Sequence, residues 1–218
     1  MNRFVSSLLA AWICCAAPAQ DRPNILWIYV EDMCDWLGCY GEELADTPTL
    51  DALAARGARF ERCYMPAAVC SPTRSALITG CWQTTIGAHN HRSSRTEGDE
   101  ISLPDGVTPL PTLLRAAGYY TFNRGKLDYN FTHDPRSLYD EHNPSMNLAR
   151  LRDVASLWRP AAAADKPFFG QIQLRGGKLR AEQQVDPGEV QVPPYYPDTP
   201  TVRARIAAHH DAVRATDR

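Results

Sequence analysis

The chain has 218 residues, and its 23 basic and 25 acidic side chains give a formal net charge of -2 at pH 7. This length suits one domain with a substantial core, or part of a larger one. Because the charge is nearly balanced, no strong overall field attracts nucleic acid or an anionic membrane, and any binding must come from a local site. We therefore predict no nucleic-acid partner.

The N-terminal residues have the pattern of an export signal. Arg3 precedes an apolar run from Phe4 to Ala17, and small residues follow up to Ala19. The run is too short to cross a bilayer, so residues 1–19 are predicted to be a signal peptide cleaved near Ala19. No later segment of the sequence has the pattern of a membrane span. We expect an exported protein, periplasmic or extracellular, in which disulfides are permitted.

The next predicted elements are a strand and two helices. Residues 24–30 (NILWIYV) form an apolar run typical of a strand buried on both faces of a parallel sheet, and the carboxylates Glu31-Asp32 follow it. A first helix is predicted between Thr47 and Gly57. A second is predicted to follow Cys70, with Ser71-Pro72 as its N-cap and first helical residue.

The remaining elements complete an alternating pattern. A third helix is predicted over residues 111–117, and strands over 119–123 and 167–174. A Pro-rich loop precedes a last helix over 201–215, on which His209-His210 is expected to be solvated. Alternating strands and helices indicate an α/β fold with a mostly parallel sheet and helices on both faces. Since no closing strand follows the last helix, we expect a chain truncated at its C-terminus.

Several chemically active side chains are expected at the carboxyl edge of this sheet, where open α/β sheets bind ligands. Glu31 and Asp32 follow the first strand, and Lys126 follows the strand over 119–123. Cys70 lies at a helix N-terminus, which favours anions, and Arg74 shares its helix face. Together they indicate a site for a hard metal ion and an oxyanion. Taken singly, they also fit solvated surface residues or, for the cysteine, a buried thiol or a disulfide partner.

Residues 70–80 (CSPTRSALITG) resemble the sulfatase signature, C-x-P-x-R followed by L-x-T-G. Four further segments resemble the same family: RPNILWIYVED, TPTLDALAARGARFERCY, GYYTFNRGK and PFFGQIQLR. The resemblance implies an alkaline-phosphatase-like fold, with residues 20–218 as the N-terminal part of a sulfatase catalytic domain. The CSP form of the signature and the GAHNH stretch most resemble heparan N-sulfatase-like enzymes.

The resemblance implies that Cys70 is chemically modified. In sulfatases a maturation enzyme reads C-x-P-x-R and oxidises the cysteine to formylglycine, an aldehyde. Outside the predicted signal the chain has an odd number of cysteines: Cys34, Cys39, Cys63, Cys70 and Cys81. Modification of Cys70 would leave four, which could form disulfides.

The resemblance also implies a metal and a mechanism. One hydroxyl of the hydrated formylglycine attacks the sulfur, and collapse of the diol later expels sulfate. The implied Ca²⁺ ligands are Glu31, Asp32 and the modified Cys70. Arg74 and Lys126 would stabilise the diol and the sulfuryl oxygens, and Lys126 would also bind substrate.

The chain departs from the family pattern at two positions. Glu31 stands where sulfatases usually have Asp, and Asp128 stands where a His commonly follows the lysine. Two interpretations are open: Asp128 is a structural replacement for that His, or the role of the His passes to His89, His91 or His133. His89 and His91 are predicted as substrate-binding residues.

The sequence therefore predicts hydrolysis of sulfate esters or sulfamates on a sulfated carbohydrate. Sulfatases are usually longer, and their other metal ligands lie in a later segment, so the 218-residue chain alone is expected to be inactive. One alternative is a phosphate or phosphonate monoester hydrolase of the same superfamily, because such a site accepts either tetrahedral oxyanion. Another is a secreted, non-catalytic remnant or carbohydrate-binding protein.

Overall fold

The structure is a computed structural model that describes residues 22–145 and 154–218. The predicted signal peptide lies outside the described residues. Within them, the chain forms one sheet of four strands: β1 (Ile25–Val30), β2 (Tyr120–Arg124), β3 (Glu141–Asn143) and β4 (Phe168–Leu174). All neighbouring pairs are parallel, in the order β1-β4-β2-β3. The predicted parallel sheet is confirmed.

The same residues contain six α-helices: α1 (Pro48–Arg56), α2 (Cys70–Thr79), α3 (Leu110–Ala116), α4 (Pro135–Leu138), α5 (Arg159–Ala163) and α6 (Pro200–Asp217). Helices α1, α2, α3 and α6 correspond to predicted helices, whereas the short helices α4 and α5 were not predicted. A proline in the first turn begins α1, α3 and α6, as expected for a residue with no N–H to satisfy there.

Helix α2 begins at Cys70, so the prediction that Ser71 is its N-cap is wrong. Val69 occupies the cap position with an extended backbone (φ -126°, ψ 157°), and no side chain caps the helix. Ser71 lies inside the helix and is 1% exposed. Cys70 therefore belongs to the first turn, where backbone N–H groups lack partners within the helix.

The sheet is packed on both faces, because successive side chains of a strand point to opposite sides. Phe169 of β4 belongs to a buried cluster that also includes side chains of α2, α3 and α4. Phe168 and Ile172 pack on the opposite face with Trp158 and with Leu157, the last residue of a 3-10 helix (Val154–Leu157) that precedes α5. The predicted placement of helices on both faces is confirmed.

Strand β1 lies at one border of the sheet, and only one of its faces is covered. Ile25 and Trp27 pack against the cluster that contains Phe169. Leu26 and Ile28, on the other face, are 40% and 55% exposed. The core cluster on that face contains side chains of β2 and β4 and, within the described residues, none of β1. The prediction that this strand is buried on both faces is therefore wrong for the part of the chain described.

Gly170 offers a test of the β2–β4 packing. A Cβ atom built on Gly170 lies 2.1 Å from Cζ of Phe122, which is 2% exposed. Gly170→Ala is expected to destabilise the protein by about 1–3 kcal/mol through overpacking, seen as a lower urea midpoint. Gly188→Ala is the matched control, because Gly188 is exposed and the nearest atoms to an added Cβ there belong to the side chain of Asp186, which is exposed and can move. Equal midpoints for the two variants would contradict the described contact.

Candidate active site

Cys70 is held in place by hydrogen bonds at the start of α2. Thr73 Oγ1 donates to the carbonyl of Ala67 at 2.7 Å. Ser75 Oγ, one turn further on, accepts from the backbone N–H of Asn130 at 2.8 Å. These bonds connect α2 to the loop before it and to the loop after β2. They fix the helix start beside the carboxyl end of the sheet.

Glu31 is the centre of a charged cluster at the ends of β1, β2 and β4. Its side chain is 4% exposed, and three cations donate to its carboxylate. Arg74 Nη2 lies 2.6 Å from Oε1, while Nζ of Lys126 and Nζ of Lys178 lie 2.6 Å and 2.8 Å from Oε2. The structure thus brings together Glu31, Arg74 and Lys126, which the sequence had placed at the same edge.

Two opposing effects act on the pKa of Glu31. Burial raises it, but the hydrogen bonds from Lys126 and Lys178 and the charge of Arg74 outweigh burial and lower the pKa to about 2. Glu31 is therefore ionised at neutral pH. One carboxylate among three cations leaves excess positive charge, which Asp32, 3.4 Å from Lys178, offsets in part. Such a cluster attracts an oxyanion.

Lys178 is a site residue that sequence reasoning missed. Two glycines before it make its position possible. A Cβ built on Gly176 lies 2.2 Å from the carbonyl oxygen of Glu31, and one built on Gly177 lies 2.3 Å from that of Asp32. No larger residue fits there, so the turn after β4 lies against the end of β1 and directs Lys178 to Glu31. A signal was present, because the chain has only three lysines and two of them bind Glu31.

A cavity of about 300 Å³ opens beside this cluster. Its polar lining comprises Glu31, Asp32, Cys70, Thr73 and Arg74, and its apolar lining includes Met33, Met65, Val69 and Leu77. Cys70 and Arg74 therefore line one concave, partly apolar space. This combination of a few polar groups in an apolar cleft is typical of a small-molecule site.

Asp128, which stands in place of the usual His, holds an arginine. Arg92 Nε and Nη2 lie 3.0 Å and 3.3 Å from its two carboxylate oxygens. The Asp128 side chain is 3% exposed, and the hydrogen bond raises the pKa of Arg92, with smaller contributions from Cys70 and Glu31. His89 and His91 are exposed and do not line the described cavity. Arg92 does not line that cavity either, and what the structure shows for it is the ion pair with Asp128.

A sequence profile described as Sulfatase matches residues 23–204, most of the chain. The chain belongs to the sulfatase family.

Two curated relatives illustrate this membership. The ulvan-active sulfatase of Formosa agariphila is 34% identical over 155 residues, which cover 68% of this chain and 24% of that protein. Human N-acetylgalactosamine-6-sulfatase is 37% identical over 128 residues, covering 56% of this chain and 24% of that protein. The sulfatase chain thus spans about a quarter of the length of these relatives.

Solved structures share the fold at low sequence identity. YidJ of Bacteroides fragilis superposes with a TM-score of 0.69 at 18% identity, covering 93% of this chain and 57% of that one. An alkaline phosphatase superfamily protein of Vibrio parahaemolyticus gives 0.51 at 18%, covering 89% and 49%. A phosphonate monoester hydrolase of Silicibacter pomeroyi gives 0.57 at 17%, covering 90% and 57%. The predicted alkaline-phosphatase-like fold is confirmed.

The described residues of this sulfatase do not fit a complete Ca²⁺ site. Ca²⁺ usually takes six to eight oxygen ligands. Both carboxylate oxygens of Glu31 are already bonded to cations, and Asp32 is 61% exposed at its side chain. No set of three or more His, Cys, Asp or Glu side chains in residues 22–145 and 154–218 is arranged to hold a metal ion. The Ca²⁺ requirement inferred from the family stays a prediction.

Two further expectations about side chains differ from the structure. His210 is 2% exposed and stacks on Trp36, with ring centroids 5.3 Å apart, so the prediction that it is solvated is wrong. His209 is half-buried, because α6 turns this face toward Trp36. All cysteines in the described residues are free thiols, so none of the four that could pair is in a disulfide here.

Proposed function

We propose that the protein hydrolyses sulfate esters or sulfamates of a sulfated carbohydrate at the cavity beside Cys70. The observation that carries this proposal is the cluster in which Arg74, Lys126 and Lys178 surround the buried carboxylate of Glu31. Membership of the sulfatase family supports the reaction class, and the names of the ulvan-active and N-acetylgalactosamine-6-sulfatases support a sulfated sugar. The likeness to heparan N-sulfatase-like enzymes stays a prediction.

Cys70 is the proposed nucleophile after oxidation to formylglycine. The residue fits this modification, because its thiol is free, partly exposed and part of the cavity lining. When present, the modified side chain would supply a hydrated aldehyde as the nucleophile. We propose that a maturation enzyme of the exporting cell reads residues 70–74.

The cations have separate proposed roles. Arg74 lines the cavity next to Cys70, so its guanidinium is proposed to neutralise the nucleophile and the transferred oxyanion. Lys126 and Lys178 are partly exposed, at 29% and 40% of their side chains, and are proposed to bind the sulfuryl oxygens. Glu31 is a positioning residue, since it holds all three cations in one place. Asp128 positions Arg92 in the same way.

Export is also part of this proposal. The predicted signal peptide would direct the chain to the periplasm or outside the cell, where a polymeric sulfated carbohydrate is accessible. Across the residues that the structure describes, every helix is too short or too polar to cross a bilayer.

The test of this function is the chemical state of Cys70. Protein purified from its native host should carry an aldehyde at Cys70. Peptide mass spectrometry would detect the decrease in mass on conversion of the thiol to the aldehyde, and a hydrazide probe would react with the peptide. Cys63, an exposed cysteine outside the signature, is the internal control and should remain a thiol. Recovery of Cys70 quantitatively in a disulfide would remove the proposed mechanism.

A comparison of two substrates distinguishes sulfate ester hydrolysis from phosphonate ester hydrolysis. A chromogenic aryl sulfate and the matched aryl phosphonate would be assayed on the same preparation, since the charged cluster attracts either anion. Faster turnover of the phosphonate would favour the phosphonate monoester hydrolase reading. The 218-residue chain alone is predicted to be inactive, so the assay uses a full-length version. No turnover of either substrate by that version, with the aldehyde present, would favour the non-catalytic carbohydrate-binding hypothesis.

A further inference from the structure

A second cavity is lined in part by residues that follow β1. Its volume is about 530 Å³, and we call it the aromatic pocket. Its defining residues are Cys34, Trp36, Tyr195, Tyr196, Arg205 and His209. Apolar side chains of α6 form its floor. None of the proposed catalytic residues contributes to it.

The aromatic rings of this pocket form a fixed platform. Trp36 is held by stacking on His210 and by an edge contact with His209, with ring centroids 5.3 Å and 5.6 Å apart. The rings of Tyr195 and Tyr196 lie 4.9 Å apart and are 75% and 52% exposed. Large aromatic rings are costly to leave in water. Exposed rings around a concave space suit the apolar C–H face of a sugar ring.

The pocket also presents a cation, Arg205. Arg205 is exposed, and no carboxylate of the described residues lies within ion-pair distance of it. Arg203, two residues earlier on α6, is instead bound to Asp198 at 2.6 Å. An arginine beside aromatic rings suits a sulfate or carboxylate group, which a guanidinium can bind through two hydrogen bonds.

The aromatic pocket adjoins the candidate active site. Asp32 lines the cavity beside Cys70, and Cys34, two residues later, lines the aromatic pocket. Gly177 lies between the two: a Cβ built there would meet the carbonyl of Asp32 at 2.3 Å and the His209 ring at 2.7 Å. Two residues of extended chain span at most about 7 Å. The linings of the two cavities therefore come within about 7 Å of each other along this segment, which motivates a test of whether one oligosaccharide contacts both.

We propose that the aromatic pocket binds a second, anionic sugar unit of the substrate, next to the unit whose sulfate lies beside Cys70. Trp36, Tyr195 and Tyr196 contact the ring of this unit, and Arg205 binds its sulfate or carboxylate group. The proposal rests on the proposed function for the identity of the ligand. It makes the protein selective for oligosaccharides over sulfated monosaccharides.

The experiment compares ligand lengths by isothermal titration calorimetry. The probes are tetrasaccharides of heparin, chondroitin sulfate and ulvan, with glucosamine 6-sulfate as the short probe. Wild-type protein should bind at least one tetrasaccharide more tightly than the short probe. Arg205→Ala and Tyr195→Ala should each weaken the affinity for that tetrasaccharide by about tenfold or more. The affinity for the short probe should change less than about twofold. Arg136→Ala, at a 91% exposed side chain on α4, is the matched control and should change neither.

The outcomes separate this proposal from the proposed function. Failure of wild type to bind any tetrasaccharide, or unchanged binding in both variants, overturns the aromatic pocket as a sugar site, even when aryl sulfate turnover is intact. Binding that depends on Arg205 but releases no sulfate, in a full-length version that carries the aldehyde, supports the pocket while contradicting the proposed hydrolysis. If other parts of the protein cover the pocket, both variants leave tetrasaccharide binding unchanged. Thermal melting verifies that the variants are folded.

Discussion

In a full-length version of the protein, replacing Arg74 with alanine is expected to lower turnover of a sulfate ester by about 10²-fold or more, as for loss of a transition-state charge partner. The guanidinium lies in the cavity with Cys70 and 2.6 Å from Glu31, so its removal takes charge from the place where the transferred group would lie. Lys126→Ala should have a comparable effect, because its ammonium binds the same carboxylate at 2.6 Å. The measurement is kcat on a chromogenic aryl sulfate.

Two further variants, Lys166→Ala and Arg74→Lys, are the controls for these substitutions. Lys166 is the third lysine, it is exposed, and it lies before β4, away from the cluster, so Lys166→Ala should leave kcat unchanged. The Arg74 side chain is only 10% exposed, so its alanine variant should also lose some stability. Arg74→Lys keeps the charge and separates the two effects. Unchanged turnover in both Arg74→Ala and Lys126→Ala would mean that the site has been placed wrongly.

The second large effect is expected from Glu31→Gln. This change leaves Arg74, Lys126 and Lys178 facing one another without their shared carboxylate. Removing one partner of a buried ion pair typically costs about 3–5 kcal/mol, and we expect about 3 kcal/mol here because the two lysines are partly solvated. Urea unfolding at neutral pH measures the loss. Glu61→Gln, at a surface carboxylate that is 68% exposed, is the matched control and should have little effect.

Acid should remove the same stabilisation from the wild type. Folding lowers the pKa of Glu31 from 4.5 to about 2. Its contribution is therefore complete above pH 4.5 and is lost as the pH falls from 4.5 toward about 2. The difference in unfolding free energy between wild type and Glu31→Gln should shrink over this range, while other carboxyl groups cancel in the comparison. A difference that stays constant in acid would show that the cations do not stabilise the ionised form.

The strands that sequence reasoning found are those with a strong local signal. Residues 24–30, 119–123 and 167–174 are apolar or rich in β-branched and aromatic side chains, and all three are strands in the structure. Strand β3 (Glu141–Asn143) was not predicted, because three polar residues carry no such pattern and only pairing with β2 makes them a strand. Helix α6 extends to Asp217, whose carboxylate accepts from two N–H groups at the start of α1 at 2.8 Å, a contact that no local pattern reveals.

The candidate site also contains some residues that the sequence predicts and others that it does not. Glu31, Arg74 and Lys126 could be grouped from the sequence, because strand ends and helix starts converge at one edge of a parallel sheet. Lys178 needed the turn that its two preceding glycines permit, and its distance from Glu31 along the chain is 147 residues. The replacement of a histidine by Asp128 was visible in the sequence, but not its arginine partner. Long-range pairs of this kind depend on packing, which the sequence does not display locally.

The border position of β1 has a practical consequence for handling the protein. Within the described residues β1 has one strand neighbour, and its outer side carries Leu26 and Ile28 in contact with water. An edge strand that exposes both backbone N–H and C=O groups and apolar side chains promotes association between molecules. The yield of soluble protein during overexpression then depends on how quickly this edge is covered by a chaperone or another protein segment. Loss of protein to aggregation grows with concentration even when the charged cluster is intact.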